Sequence, residues 1–156
     1  MNKGAYIYIR TCDDGQDIAY PDEKDLVRQL ITRTAQISGV SDRFHGRKLM
    51  EDLRRSGFSD IHTVNYCLDT VDKDADGRYF MFCNSFLWRK NYFKRQLAHT
   101  ANLEKAMQDY AWVSSALEEL EEMFYEPNFY YCYTSSHTIS MARNLFYKFD
   151  KALCVN

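Results

Sequence analysis

The sequence predicts an α/β protein with a small three-stranded mixed sheet and helices on its faces. Two observations predict this class. Strand-like runs rich in β-branched and aromatic residues lie at residues 5–10, 60–68 and 129–142. Segments with helical periodicity fill the intervals between them. The predicted order is β-α-α-β-α-α-β, so two long helices form an insertion before the last strand.

Composition and net charge narrow the class of protein further. The chain has 156 residues, of which 46% are hydrophobic and only two are prolines. This size and composition predict one folded domain, residues 1–156, rather than a disordered chain. The net charge of −2 gives no whole-chain argument for nucleic acid binding.

The cysteines, the N-terminal residues and the lack of a long apolar stretch predict a cytoplasmic protein. The five cysteines are scattered and include no CxxC pair, so the sequence indicates neither a zinc site nor a disulfide framework. The N-terminus lacks the basic and apolar regions of a secretory signal. No stretch approaches the roughly 20 apolar residues that a membrane span requires.

The first strand is followed by a predicted polar loop, residues 11–20, and then by two helices. Asp22 is the expected cap of the first helix. The inward stripe of this helix contains Leu26, Val27, Leu30 and Ile31. The second helix follows residue 42 and carries Leu49, Met50 and Leu53 inward. Gly57 is expected to end that helix in the left-handed conformation.

The second pair of helices is the most distinctive part of the sequence. An acidic loop, residues 69–77, precedes an aromatic helix at 78–98. Asn102 is the expected cap of a longer helix that continues to about residue 125. The apolar positions of this helix have heptad spacing: Leu103, Ala106, Tyr110, Val113, Leu117, Leu120 and Phe124.

Three interpretations of these two helices remain open. We favour an antiparallel helical hairpin, which is compatible with a lid over an apolar or aromatic acceptor. The third interpretation is a dimer seam, since three heptads are close to the minimum for a coiled coil. Beyond the last strand, residues 144–156 are expected to hold one short amphipathic helix.

Three segments of the chain carry a family resemblance. The first segment, GAYIYIR at residues 4–10, is similar to the strand after the KPGG turn of class I S-adenosylmethionine-dependent methyltransferases. The second segment resembles the part of that family before its sixth strand, and the third resembles its closing strand. The residues concerned are Gly46-Arg47-Lys48-Leu49, Leu53, Gly57-Phe58 and Ile61, then Phe129-Tyr130-Tyr131 and Ile139-Ser140-Met141-Ala142-Arg143.

The resemblance implies a partial Rossmann-like methyltransferase fold whose cofactor-binding N-terminal half is absent. It implies that the last strand runs antiparallel between the two before it. The helical insertion, about residues 77–126, would cover a small-molecule acceptor, whose O, N or C atom attacks the methyl group of S-adenosylmethionine. The Gly-rich turn of the family has no counterpart here, since no GxGxG occurs. We therefore assign no cofactor-binding residue and expect the chain to be inactive on its own.

The residues expected on the acceptor side are Arg10, Asp13, Asp14, Trp88 and Tyr92. The first three follow from position, because ligands of open α/β sheets lie outside the carboxyl ends of strands. The favoured alternative for the two aspartates is a turn in which they bond their own backbone. Arg10 is expected to pair with one of them. No catalytic residue can be assigned.

Two further patterns have structural interpretations that we favour over a ligand site. The sequence from Asp72 to Gly77 imitates the start of a calcium loop, but the twelfth position is Cys83 instead of glutamate. An acidic helix start explains it better. Four basic residues interleave with aromatic ones, which is compatible with binding of single-stranded nucleic acid or with a solvated helix face; we favour the face. These are Arg89, Lys90, Lys94 and Arg95.

The exposed edge of the first strand predicts a homodimer. In the family the strand at residues 5–10 pairs with an earlier strand, and an unpaired edge invites pairing with another chain. The helical insertion is the other candidate for the dimer contact. A second functional hypothesis follows, in which the chain is a non-catalytic oligomeric half-domain with an interaction or structural role. Neither hypothesis involves a metal, a membrane or nucleic acid.

Overall fold

The computed structural model describes residues 4–37, 39–40 and 42–142. A one-turn 3₁₀ helix lies at Asp14–Gln16 and another at His45–Arg47, and a π-helical segment, Cys83–Leu87, joins α3 to α4. The helix expected within residues 144–156 lies outside the described residues. The strands and α-helices are β1 (Tyr6–Cys12), β2 (Ile18–Tyr20), α1 (Leu26–Ala35), α2 (Leu49–Arg55), β3 (Phe58–Asp69), α3 (Ala75–Phe82), α4 (Arg89–His99), α5 (Leu103–Tyr125) and β4 (Tyr130–Ala142).

The sheet has four strands and its pairings are antiparallel, which corrects the mixed three-stranded sheet predicted from the sequence. The 13-residue β4 pairs with β1, from Met141 opposite Tyr6 onward, and with β2, where Tyr130 lies opposite Tyr20. β3 also pairs with β4. The segment predicted as a polar loop thus contains β2, a strand too short to show an alternation in the sequence.

Contacts divide the described residues into two units. The first contains residues 4–16, 42–68 and 134–142, and the second contains the remainder. β4 contributes its end to the first unit and its start to the second. That residues 1–156 form one domain stays a prediction.

In the first unit, β4 lies between β1 and β3. The hydroxyls of Thr63 and Thr138 are 2.9 Å apart, and Ser136 Oγ donates a hydrogen bond to Asn65 Oδ1 at 2.8 Å. This register makes β3 antiparallel to β4. β1 is also antiparallel to β4, so β1 and β3 run in the same direction on either side of it.

Gly57, at φ +81°, ends α2 in the left-handed conformation as predicted.

In the second unit, α4 packs antiparallel against α5, which confirms the helical hairpin. Lys90 Nζ lies 5.9 Å from the centre of the Tyr110 ring, and Tyr79 stacks on Tyr125 with the ring centres 6.4 Å apart. Most predicted heptad positions of α5 are buried, although Leu103 is exposed. The lid and the dimer seam stay predictions.

The core of the second unit is aromatic. The Phe86 ring is fully buried, and its centre lies 6.0 Å from that of Phe124 and 5.1 Å from that of Tyr131. Phe82 and Phe129 extend the cluster through contacts with Phe124. The aromatic helix predicted at 78–98 therefore supplies core residues from α3 and the π-helical segment.

Both residues predicted to cap helices accept hydrogen bonds from first-turn N–H groups, although the N-cap position of α1 is Asp25 rather than Asp22. Both carboxylate oxygens of Asp22 accept hydrogen bonds, from the backbone N–H of Leu26 at 2.8 Å and of Val27 at 3.0 Å. Asn102 Oδ1 accepts one from the Lys105 N–H at 3.1 Å. Each cap satisfies backbone donors that the first helical turn leaves without a partner.

Candidate functional site

The loop after β1 holds the predicted acceptor-side residue Asp13, which is 1% exposed. Arg47 donates to its carboxylate from Nε at 2.7 Å, from Nη2 at 2.7 Å and from the backbone N–H at 3.1 Å. The Gly15 N–H donates to Asp13 Oδ1 at 3.1 Å, as expected for a turn that bonds its own backbone. The bond to Asp13 raises the pKa of the Arg47 guanidinium.

Asp14 is also bound by an arginine, and this pair likewise joins the loop after β1 to the loop before α2. Arg43 donates to its carboxylate from Nε at 3.0 Å and from Nη2 at 2.8 Å, and the Asp14 N–H donates to the Arg43 carbonyl at 2.9 Å. Paired donors of this kind fix a carboxylate strongly. Both aspartates therefore have protein partners, and their contact with an acceptor stays a prediction.

Arg10 does not fill the role expected for it. It lies on the exposed side of β1 opposite His137, and within the described part of the chain Arg47 and Arg43 pair with the two aspartates instead. The prediction of an Arg10–aspartate pair is therefore wrong, because the loop before α2 brings closer arginines. A place for Arg10 in an acceptor site stays a prediction.

The sheet of the first unit carries an aromatic cluster that sequence reasoning missed. Tyr8 Oη and His137 Nδ1 are joined by a 2.6 Å hydrogen bond, and the Tyr66 ring meets the His137 ring edge-on at 4.7 Å. The three side chains come from β1, β4 and β3 and lie on one face. Tyr6, Tyr8 and Arg10 occupy every second position of β1, so the sequence indicates that they share a face of the strand. The residues of β3 and β4 that lie beside them can be identified only once the register is known.

The second unit brings together the other two predicted residues, Trp88 and Tyr92. Their rings meet edge-on with centres 5.6 Å apart. The guanidinium carbon of Arg89 lies 4.6 Å from the Trp88 ring centre, and Arg89 Nε donates to the Ser85 carbonyl at 3.2 Å. Arg89 is 1% exposed, so the solvated face predicted for the basic residues is wrong at this position.

A buried phenol belongs to the same unit. Tyr131 Oη donates to Asp17 Oδ2 at 2.9 Å, and its backbone N–H donates to Thr70 Oγ1 at 2.9 Å. Burial, and then the charge of Asp17, raise the pKa of Tyr131, although Ser85 and Arg89 act in the opposite direction. The phenol is therefore a fixed hydrogen-bond donor. No sequence pattern singled out Asp17 or Tyr131, because they lie 114 residues apart.

The acidic segment before α3 caps the N-terminus of that helix, as predicted. Asp74 Oδ1 accepts a hydrogen bond from the Gly77 N–H at 2.8 Å, and Asp76 lies in the first turn. Among the described residues no group of histidine, cysteine, aspartate or glutamate side chains is arranged to hold a metal ion. None of the helices in that part of the chain combines the length and apolarity needed to cross a bilayer.

Around the loop after β1, the described glycines leave no space for a cofactor to approach the backbone. A cofactor cradle needs glycine backbone that a ligand can approach closely. The close approaches at the loop after β1 are taken by the chain itself: a Cβ on Gly15 would collide with Arg47 Nη2, and a Cβ on Gly46 would lie 3.0 Å from Asp13 Cβ. We assign no residue of this chain to the cofactor.

No model of a known protein family matches this chain, and no curated protein is similar enough in sequence to count as a relative. The methyltransferase resemblance therefore depends on the three segments quoted above and on the order of the elements.

Proposed function

We propose that this chain is a methyltransferase-like protein that forms the acceptor side of an S-adenosylmethionine-dependent methyltransferase and does not bind the cofactor by itself. The observation that carries the proposal is the position of β4. This last strand lies antiparallel between β1 and β3, which share a direction. The resemblance of residues 4–10 and 129–143 implies this arrangement.

The helical insertion supports the acceptor side of the proposal. Residues 75–125 precede β4 and form a hairpin with aromatic residues on it. Trp88 and Tyr92 are half-buried and lie beside the buried Arg89. Half-buried aromatic rings suit a planar acceptor, which they would position for attack on a methyl group.

The cofactor would be held by residues outside those described. When bound, S-adenosylmethionine supplies the methyl group, and this chain's own part is to position the acceptor. Asp13, with its carboxylate bonded to Arg47, keeps the loop after β1 in one conformation. A loop fixed in one conformation positions an acceptor more accurately than a mobile loop does.

The test compares this chain with a longer protein that adds any in-frame coding sequence found upstream of residue 1. Each is titrated with S-adenosylmethionine in a calorimeter. We expect saturable one-site binding by the longer protein and no heat from this chain. Binding by this chain alone would contradict the assignment of the cofactor to other residues. Failure of the longer protein to bind would contradict the methyltransferase proposal itself.

A second candidate is a non-catalytic homodimer with an interaction or structural role. The observation that favours it is the exposure of apolar side chains on strands that flank β4: Tyr6 is 69% exposed, and Val64 is 53% exposed. An exposed strand edge with apolar side chains is a ready site for pairing with a second copy.

Sedimentation analysis at high protein concentration tests the homodimer. We expect a dimer that Tyr6→Lys dissociates, if β1 forms the contact. The matched variant Tyr125→Lys places the same change on the helical insertion, where Tyr125 is 50% exposed. Dissociation by this second variant alone would move the contact to the insertion, and a strict monomer would rule out the homodimer.

A further inference from the structure

The second unit contains a cleft that the proposed function does not use. It has a volume of about 390 Å³ and is lined by residues of α1, α4 and the first turns of α5. This volume lies in the range of small-molecule sites. Phe93, 4% exposed, and Ala106, 7% exposed, provide apolar surface in it, together with the half-buried Ile37.

Two cations and one carboxylate line the same cleft. Arg33 Nη1 lies 3.3 Å from Asp109 Oδ1, and Lys105 Nζ lies 2.9 Å from Asp109 Oδ2. One carboxylate is therefore shared by two cations, which leaves an excess of one positive charge. The cleft also lies at the N-terminal turn of α5, where the helix dipole adds a positive potential.

Arg33 is held in a fixed orientation. Its guanidinium carbon lies 4.0 Å from the centre of the Trp112 ring, so the guanidinium stacks on the indole. Its bond to Asp109 uses Nη1, and within the described residues Nε and Nη2 donate to no protein group. A guanidinium that is already oriented loses little further freedom when it binds a carboxylate.

We propose that this cleft binds a small organic anion with one carboxylate and a ring-sized apolar part. The carboxylate is bound by Arg33 and Lys105, and the apolar part packs against Phe93. A monoanion matches the single excess charge, whereas a phosphate dianion would exceed it. The planar guanidinium favours the planar carboxylate, to which it donates two parallel hydrogen bonds.

The first experiment titrates the full chain with benzoate and follows backbone amide signals by NMR. We expect saturable shifts at residues around the cleft, with a Kd of about 1 mM for so small a ligand. Benzamide has the same shape without the charge and should bind at least about tenfold more weakly. Inorganic phosphate, an anion without an apolar part, should also bind more weakly than benzoate.

Three variants locate the site. Arg33→Gln should weaken benzoate binding at least about tenfold, since it removes the oriented charged donor. Asp109→Asn should strengthen binding several-fold, because it removes the negative charge that competes for both cations. Arg28→Gln, on the same helix but outside this cleft, should change nothing. Circular dichroism verifies that each variant is folded.

Several results would overturn the proposal. They are the absence of saturable benzoate shifts below about 20 mM, equal binding of benzamide, or unchanged binding by folded Arg33→Gln. If Arg33→Gln does not fold, the Asp109→Asn variant decides the question, because a purely structural role for this carboxylate predicts no gain in affinity.

Discussion

The sheet face of the first unit and the core of the second unit place the same kinds of side chain in opposite environments. On the sheet face, Tyr8 is 58% exposed and Tyr66 is 51% exposed, although both contact His137. In the core, Phe86 and Tyr131 are 0% exposed and their ring centres lie 5.1 Å apart. Aromatic content alone therefore does not distinguish a surface cluster from a core.

The difference indicates where the free energy of folding comes from. Burial of apolar area removes it from water, which stabilises the second unit through its rings. The first unit depends more on polar contacts, above all those of Asp13 with Arg47 and of Asp14 with Arg43. Substitutions in the two units should therefore act by different mechanisms and with different magnitudes.

The largest expected effect is that of Phe86→Ala. Phe86 is fully buried and contacts Phe82, Phe124 and Tyr131, so its removal leaves a cavity. The free energy of unfolding, measured by urea titration, should fall by about 3–5 kcal/mol. The matched variant Tyr66→Ala removes an exposed ring and should cost less than about 1 kcal/mol. Equal losses would contradict the division between a core and a surface cluster.

An intermediate effect is expected for Asp13→Asn. The neutral amide loses the charge that Arg47 binds and keeps the size of the side chain. Because Asp13 is 1% exposed, the free energy of unfolding should fall by about 2 kcal/mol. Asp42→Asn is the control, since Asp42 is exposed and bonded to Lys48 at 2.6 Å.

That control pair is open to solvent and should contribute at most about 1 kcal/mol. A loss for Asp42→Asn as large as that for Asp13→Asn would show that burial does not set the strength of these contacts.

Much of the fold could be predicted from local signals. The caps by Asp22 and Asn102 and the left-handed Gly57 each depend on a few neighbouring residues, and each is present in the structure. β2 could not be predicted, because three residues show no period and the strand exists only through pairing with β4. The all-antiparallel pairing also depends on strand order, which local patterns do not contain.

The candidate sites divide in the same way. Trp88 and Tyr92 are close in sequence on one helical segment, and the structure brings their rings into contact. The partners of Asp13 and Asp14 could not be predicted, because Arg47 and Arg43 lie about 30 residues away and reach the aspartates through the turn before α2. Long-range contacts of this kind require the tertiary structure.

The smallest expected effect at neutral pH, but the most specific, concerns Tyr131. Burial and Asp17 raise the pKa of its phenol above the usual value of 10. Below about pH 10 the folded and unfolded chains both keep this proton. Above that pH only the unfolded chain releases it, so the free energy of unfolding should fall by about 1.4 kcal/mol per pH unit from this group.

Urea titrations at several alkaline pH values test this expectation. Tyr131→Phe should lose about 1 kcal/mol near neutral pH, because the hydrogen bond to Asp17 is gone, and should then show a shallower alkaline decline than the wild type. Tyr20→Phe, at a tyrosine 73% exposed, should keep the wild-type slope. An unchanged slope in Tyr131→Phe would assign the alkaline loss to other groups, and the buried phenol would then stabilise the second unit through its ring alone.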